Sequence, residues 1–286
     1  MSDAVFNPGE ESSRLAALPL SLLNRDALAA RVRQSRLTPW LLPCLLLAAW
    51  QIGAQTGLIS DDILPAPVDV AFSAWRLTLS GALGHNIAIS FRRAMSGFAI
   101  GGGIAFALGL SNGVSRISER LTDTTLQMVR NIPNLSLIPL VILWFGIEEQ
   151  AKLFLTAFGV FFPVYINTFH GVRAVDAQLI EMGRSYGMTR WTLFRRVVLP
   201  GALPSIFVGI RYALGIMWLT LIVSESIAAD AGIGHMAMQA REFMQTDVVV
   251  LAILIYAALG KIADSLVRLL ERRALAWHPS FGKGRR

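Results

Sequence analysis

Glu181-Met182-Gly183-Arg184-Ser185-Tyr186-Gly187-Met188-Thr189-Arg190-Trp191-Thr192-Leu193-Phe194-Arg195-Arg196-Val197-Val198-Leu199-Pro200 separates two long apolar stretches. Four arginines in this run cannot cross lipid, yet the pattern is that of a folded unit. A short helix from about Ala177 to Tyr186 would stop at Gly187, where a positive φ costs a glycine little. Trp191, Leu193, Phe194 and Val197 supply an apolar face for a second segment, which Pro200 and Pro204 are expected to end ahead of the membrane. A plain basic tether is the simpler alternative. The organised reading makes the run a compact knob that docks a partner protein.

The rest of the chain sets that knob in a membrane. Of its 286 residues, 54% are hydrophobic and 16% charged. A bilayer core needs about 20 mostly apolar residues per helix, and six segments come close: 37–58, 94–113, 122–145, 151–171, 205–228 and 247–268. The expected fold is therefore all-α and polytopic, with six transmembrane helices. The net charge of +7 does not point to nucleic acid, because the arginines sort by loop. With both termini in the cytoplasm, seventeen basic residues fall on inner segments and four, Arg76, Arg92, Arg93 and Arg241, on outer ones, as the positive-inside rule requires. Arg92 and Arg93 fit least well, at the mouth of the second span or inside a longer one. The chain divides into a cytoplasmic N-terminal segment (1–36), a transmembrane domain (37–268, with its cytoplasmic loop at about 172–204) and a basic cytoplasmic tail (269–286).

Residues 1–36 lack the basic start, apolar stretch and small-residue cleavage site of a removable signal. The lone Cys44 has no intrachain partner. After Ile63-Leu64-Pro65-Ala66-Pro67, the residues Val68, Phe72, Trp75 and Leu79 recur at helical spacing, which predicts a short helix lying on the outer membrane surface. The second span carries Gly97, Gly101, Gly102, Gly103, Gly109 and Gly113, and small residues one turn apart let helix backbones approach closely in lipid.

The third span holds Arg130, Asn131, Pro133, Pro139 and Trp144. Its two prolines break backbone bonding, which is tolerated at membrane depth where protein or a wet cavity satisfies the freed carbonyls. Arg130 either faces a path for an anion or snorkels to lipid phosphates. Glu225, with Thr220 nearby on the fifth span, either lines a cavity or pairs internally; Arg211 is too far along the same helix to be its partner. Pro163 is expected to kink the fourth span, and His170, near that span's end, reads as hydrogen-bonded structure.

Catalytic readings fail. No G-x-x-x-x-G-K-[ST] loop is present, since Gly260-Lys261 and Gly282-Lys283 lack its spacing. Neither a zinc-ligand pattern nor a G-x-S-x-G elbow occurs. The chain is read as a non-enzyme with no catalytic residue, metal or cofactor of its own.

The 181–200 run resembles the E-A-A-x3-G-x9-I-x-L-P signature of ABC importer permeases, with Glu181, Gly183, Gly187, Val197, Leu199 and Pro200 in the corresponding positions and Met182, Gly183 and Val197 replacing the two alanines and the isoleucine. From about Trp40 to Pro279 the chain is similar to the permease branch for sulfonates, taurine, nitrate and related small oxyanions, and Ile138 to Gly146 and Arg211 to Val223 resemble its aliphatic-sulfonate members. The resemblance implies the type I importer fold, a location in the bacterial inner membrane, a homodimer of permeases with the pathway at its interface, two cytoplasmic subunits that bind ATP and Mg, and a periplasmic or external solute-binding protein. It implies that Glu181 to Pro200 couples to the ATPase; the proline-broken third span and the charges in apolar runs make Arg130, Asn131, Pro133, Trp144, Thr220 and Glu225 the candidates for the translocation path. Residues 230–246, with Gly232, Gly234 and Arg241, are expected at the outer gate or the delivery-protein dock. The rival cargoes are taurine, nitrate or a pyrimidine; the rival class is a membrane scaffold or sensor that recruits an ATPase.

Overall fold

The computed structural model describes residues 38–277, and every regular element among them is helical. The N-terminal segment and the end of the basic tail lie outside the described residues. Two compact units divide the chain at Ile59. The first contributes α1 (Thr38–Gln55), an apolar helix with Pro43 inside it.

The second unit contains α2 (Pro67–Leu79), α3 (Ala82–Val114), α4 (Arg116–Arg130), a 3-10 turn (Asn134–Leu137), α5 (Ile138–Phe145), α6 (Glu149–Arg173), α7 (Ala177–Ser185), α8 (Arg190–Ala228), α9 (Ile233–Glu242) and α10 (Thr246–Ala274). Among the described residues α3, α6, α8 and α10 are each long and apolar enough to cross a bilayer; α4 with the 3-10 turn and α5 meets the same measure only as a pair bent by 84°, a broken span or a re-entrant segment. The expected six therefore depends on counting the bent pair once and on adding the shorter α1.

Several expected boundaries move. The second span begins at Ala82, twelve residues before the expected 94, and its 33 residues extend about 50 Å. Arg92 and Arg93 are thus inside a helix, not in an outer loop. The third span is no single rod: α4 is amphipathic and buries none of its residues, and the chain breaks after Arg130. Pro133 caps the 3-10 turn and Pro139 sits in the first turn of α5, where its missing N–H costs nothing. α6 keeps its helix through Pro163 to Arg173, where Asn167 Nδ2 donates to the Pro163 carbonyl (2.9 Å).

α3, α6 and α8 form the core. Down one edge of α3, Gly97, Gly101, Ala105, Gly109 and Gly113 recur every four residues and are backed by α6. A Cβ on Gly101 would lie 2.1 Å from the Ala157 carbonyl oxygen, one on Gly109 2.8 Å from Thr168 Cβ and one on Gly113 2.6 Å from Val172 Cβ. This is backbone-on-backbone packing of the kind that associates helices in lipid. Gly103 points the other way, with nothing within 4 Å.

α2 forms as expected, but its apolar stripe does not pack inward. Val68, Phe72, Trp75 and Leu79 are all more than 60% exposed, while Val70 and Ser73 are buried, and Ser73 donates to Asp247 at the start of α10. A stripe facing away from the protein suits a helix lying in the membrane interface.

Candidate functional site

The knob is built by local rules. Asp176 caps α7, its carboxylate accepting from Gln178 N–H (2.8 Å). At the other end Gly187 has φ 73°, Met188 N–H reaches back to the Gly183 carbonyl (3.0 Å) and Gly187 N–H to that of Arg184 (2.9 Å). That bond pair is a Schellman motif, so the glycine is required for its backbone. Gly183 is tightly packed: a Cβ there would come within 2.6 Å of the tip of the Leu193 side chain, which would have to shift. Thr189 caps the next segment through Thr192 N–H (3.3 Å).

Beyond the knob, Pro200 does not end a segment as expected. α8 runs from Arg190 through Pro200 and Pro204 to Ala228, with a π turn over Phe194–Val198 in which Leu199 N–H bonds the Phe194 carbonyl. A proline clashes with the carbonyl four residues back; the wider π turn just before Pro200 lets the rod continue. Val175, Leu179, Met182, Arg196, Val197 and Pro200 line an apolar groove of about 700 Å³ beside α7. Glu181 is exposed, as are Met182, Tyr186 and Trp191.

The candidate path residues do not form one cluster. Arg130, Asn131 and Pro133 are exposed at the break between α4 and α5, and Trp144 is 60% exposed on α5. Thr220 is buried on α8 and holds the break in place by accepting from Asn134 Nδ2 (3.0 Å). Asn134 Oδ1 is itself buried with no hydrogen-bond partner, a polar atom left beside the broken helix.

Glu225 belongs elsewhere, and its partnering is internal. Its carboxylate accepts from Ser90 Oγ (2.7 and 2.8 Å) and Arg93 Nη1 (2.8 Å) on α3, from Gly234 N–H (3.0 Å) at the start of α9, and from Tyr256 Oη (2.9 Å) on α10. The residue is 1% exposed. Arg93 also donates to the Ala231 carbonyl and, through its Nε and Nη2 fork, to Glu149 on α6, whose carboxylate is half exposed. Lys152 lies 3.5 Å from Glu149 and donates to the Ile147 carbonyl (3.1 Å). Two cations and two carboxylates balance. A buried charge that loses its partner typically costs 3–5 kcal/mol, so a group of this kind persists only when complete. Arg211 pairs instead with Glu271 (3.2 Å) and Asp264 (3.6 Å) on α10. His170 is exposed, its ring edge-on to Phe169.

Sequence reasoning missed Ser90, Arg93, Asn134, Glu149 and Tyr256. The usable signal was two charges of opposite sign, Arg93 and Glu225, each within an apolar run. Among the described residues no group of His, Cys, Asp and Glu is arranged to hold a metal.

Comparison with known proteins gives consistent results. The profile of the family described as binding-protein-dependent transport system inner membrane component matches residues 99–275. An aliphatic sulfonates transport permease protein, SsuC, of Escherichia coli K12 is 57% identical over 246 residues, covering 86% of this chain and 94% of that protein. The protein of the same description from Bacillus subtilis 168 is 45% identical over 241 residues, covering 84% and 87%. Among solved structures, an amino acid ABC transporter chain is similar in fold, with a TM-score of 0.55 at 19% identity over 71% of this chain and 96% of that one.

Proposed function

The chain belongs to the binding-protein-dependent transport system inner membrane components, and on that premise we propose that it carries aliphatic sulfonates across the bacterial inner membrane. It is the multi-pass permease subunit of an ABC transporter and not an enzyme; hydrolysis lies with separate chains. Two copies of the permease, two cytoplasmic ATP-binding subunits and an external solute-binding protein make up the proposed importer, with both permease termini in the cytoplasm. The cargo follows from the 57% identity to a sulfonate permease over nearly the whole of both chains.

One observation carries the coupling mechanism: the knob's closing turn at Gly187 is followed at once by α8, which runs from Arg190 through Leu193 and the π turn to Ala228 without a break. In this reading Glu181, Gly183, Gly187, Val197, Leu199 and Pro200 form the ATPase dock. A groove that grips α7 would move α8 as a lever, because only the short turn Tyr186–Thr189, pinned by the Gly187 and Met188 N–H bonds and by the Thr189 cap, lies between them. Arg130, Asn131, Pro133 and Trp144 would line the path where α4 and α5 break, with Thr220 fixing the break and a guanidinium available to a sulfonate oxygen. Weak binding there suits a cavity that must release its cargo. Glu225 serves this path indirectly, through the outer loop.

The test is uptake of labelled alkanesulfonate into proteoliposomes holding this chain with its ATPase, internal ATP and external binding protein. Accumulation competed by other alkanesulfonates, but not by taurine or nitrate, supports the cargo. ATP-dependent uptake of a different anion would replace the cargo and keep the importer. Absence of any uptake alongside ATP hydrolysis would favour the scaffold.

A further inference from the structure

We propose that Arg93 and Glu225 are positioning residues for transport, an ion pair that anchors the α8–α9 loop to α3 so that the loop moves with the spanning helices rather than independently of them. This rests on the importer reading above.

The loop from Ala229 to Gly232 crosses the end of the bundle opposite the knob; Gly232 N–H bonds Asn86 Oδ1 on α3 (2.8 Å), and the attachments that follow centre on the pair and on Ser90, which itself donates to Glu225. Ile233 N–H bonds Ser90 Oγ (2.9 Å), Gly234 N–H bonds Glu225 (3.0 Å), and the Ala231 carbonyl takes a donor from Arg93. The helix α9 thus begins with its free N–H groups and positive dipole end directed at a carboxylate and a hydroxyl that belong to two different spans. Only a backbone without side chains fits there: a Cβ on Gly232 or Gly234 would lie 2.6 Å from atoms of Glu225. Arg93 then ties the same loop to α6 through Glu149. A carboxylate with this many donors is more than a neutralising partner for one arginine, since the cation alone would be satisfied by Glu149.

If the pair only stabilised the bundle, it would have no need to reach the loop. Because it does, a shift of α8 relative to α3 changes the loop's anchorage at once. This makes the pair the point where movement driven from the knob end would be read out at the gate.

The test uses the permease and ATPase complex in lipid nanodiscs and proteoliposomes. Glu225→Gln should raise hydrogen exchange at the Ile233 and Gly234 amides at least about tenfold while α6 amides stay protected, and should cut sulfonate uptake at least about tenfold with ATP hydrolysis retained. Arg93→Lys should behave alike, because one ammonium cannot replace a fork that serves two carboxylates and a carbonyl. Ser90→Ala, a smaller change that keeps both charges, should shift exchange at Ile233 in the same direction. Arg268→Gln, removing an exposed pair with Asp264, is the control and should alter neither readout. Unchanged amide protection in Glu225→Gln would overturn the anchoring, and lost protection with wild-type uptake would overturn the positioning role. Exposure of α6 amides together with the loop would show a merely structural pair. Should the wild type itself take up no sulfonate, the cargo reading fails separately, and the exchange experiment still decides the anchoring.

Discussion

Gly101→Ala asks whether α3 and α6 are held together by backbone contact. The substitution adds one methyl group at a helix position where alanine is otherwise favoured over glycine by about 1 kcal/mol. In place, that methyl would sit 2.1 Å from the Ala157 carbonyl oxygen and 2.6 Å from its Cα. A carbon and an oxygen need roughly 3.3 Å, so α3 and α6 must part by about 1 Å, and the neighbouring contacts at Gly97 and Gly109 open with them. Overpacking of this kind costs about 1–3 kcal/mol. Because the obstacle is main chain and cannot rotate aside, the upper end applies. Gly103→Ala is the matched control: its methyl meets nothing within 4 Å, leaving only the propensity gain. Thermal unfolding of the two variants in the same detergent, followed by loss of the monodisperse chromatographic peak, should therefore diverge. With the propensity gain of about 1 kcal/mol set against that cost, Gly101→Ala should fall by about 4 °C, taking about 2 °C per kcal/mol for a chain of this size, and Gly103→Ala should match or exceed the wild type. Equal unfolding temperatures for the two would refute backbone contact as the basis of the α3 and α6 interface.

Gly187→Val should uncouple ATP hydrolysis from uptake while the protein remains in the membrane, since the position has open space but a φ of 73° that a β-branched residue resists by about 1–2 kcal/mol. Gly187→Asn should lose less, because asparagine tolerates that region, and equal uptake in all three proteins would remove the docking role. Arg130→Ala should raise the substrate concentration needed for half-maximal uptake with little change in unfolding temperature; an unchanged rate and affinity would leave Arg130 as an anchor to lipid phosphates.

What was legible in the sequence was what is decided locally. The end of α7 at Gly187 needs one residue with positive φ and two bonds within six residues, so the chain announces it. The break at Pro133 is equally local, but the 84° bend is held by partners on other helices, Thr220 for Asn134, 86 residues away, and Ala151 and Leu155 for Ile138 and Val141. The face of α2 shows how the surroundings decide what a pattern means. Apolar periodicity points inward in water, whereas in a bilayer the apolar stripe of Val68, Phe72, Trp75 and Leu79 can face lipid while the polar Ser73 turns to Asp247. Arg93 is only half legible: the charge pattern counts it with the outer segments while leaving open a place inside a longer second span, and the helix from Ala82 to Val114 takes the second course. Arg93 is a core residue, because the carboxylate that repays its burial is 132 residues further along the chain.

The two ends of α8 join these observations. Pro200, at the knob, and Glu225, at the opposite end of the bundle, are twenty-five residues apart on one unbroken helix, a separation of about 38 Å at 1.5 Å per residue. On its flank α8 lies against α6 at small residues: a Cβ on Gly171 would meet the Ala202 carbonyl at 3.0 Å, and one on Gly209 the Pro163 carbonyl at 2.9 Å. Packing this close leaves no side-chain layer to deform, so a force on α7 would be taken up by tilting the packed helices rather than by bending α8 within them. A tilt of α8 with its Gly209 contact on α6 as fulcrum would move the knob end and the Glu225 end in opposite directions. The proposed gate would then respond to the ATPase through geometry alone, without a chain of intermediate conformational changes.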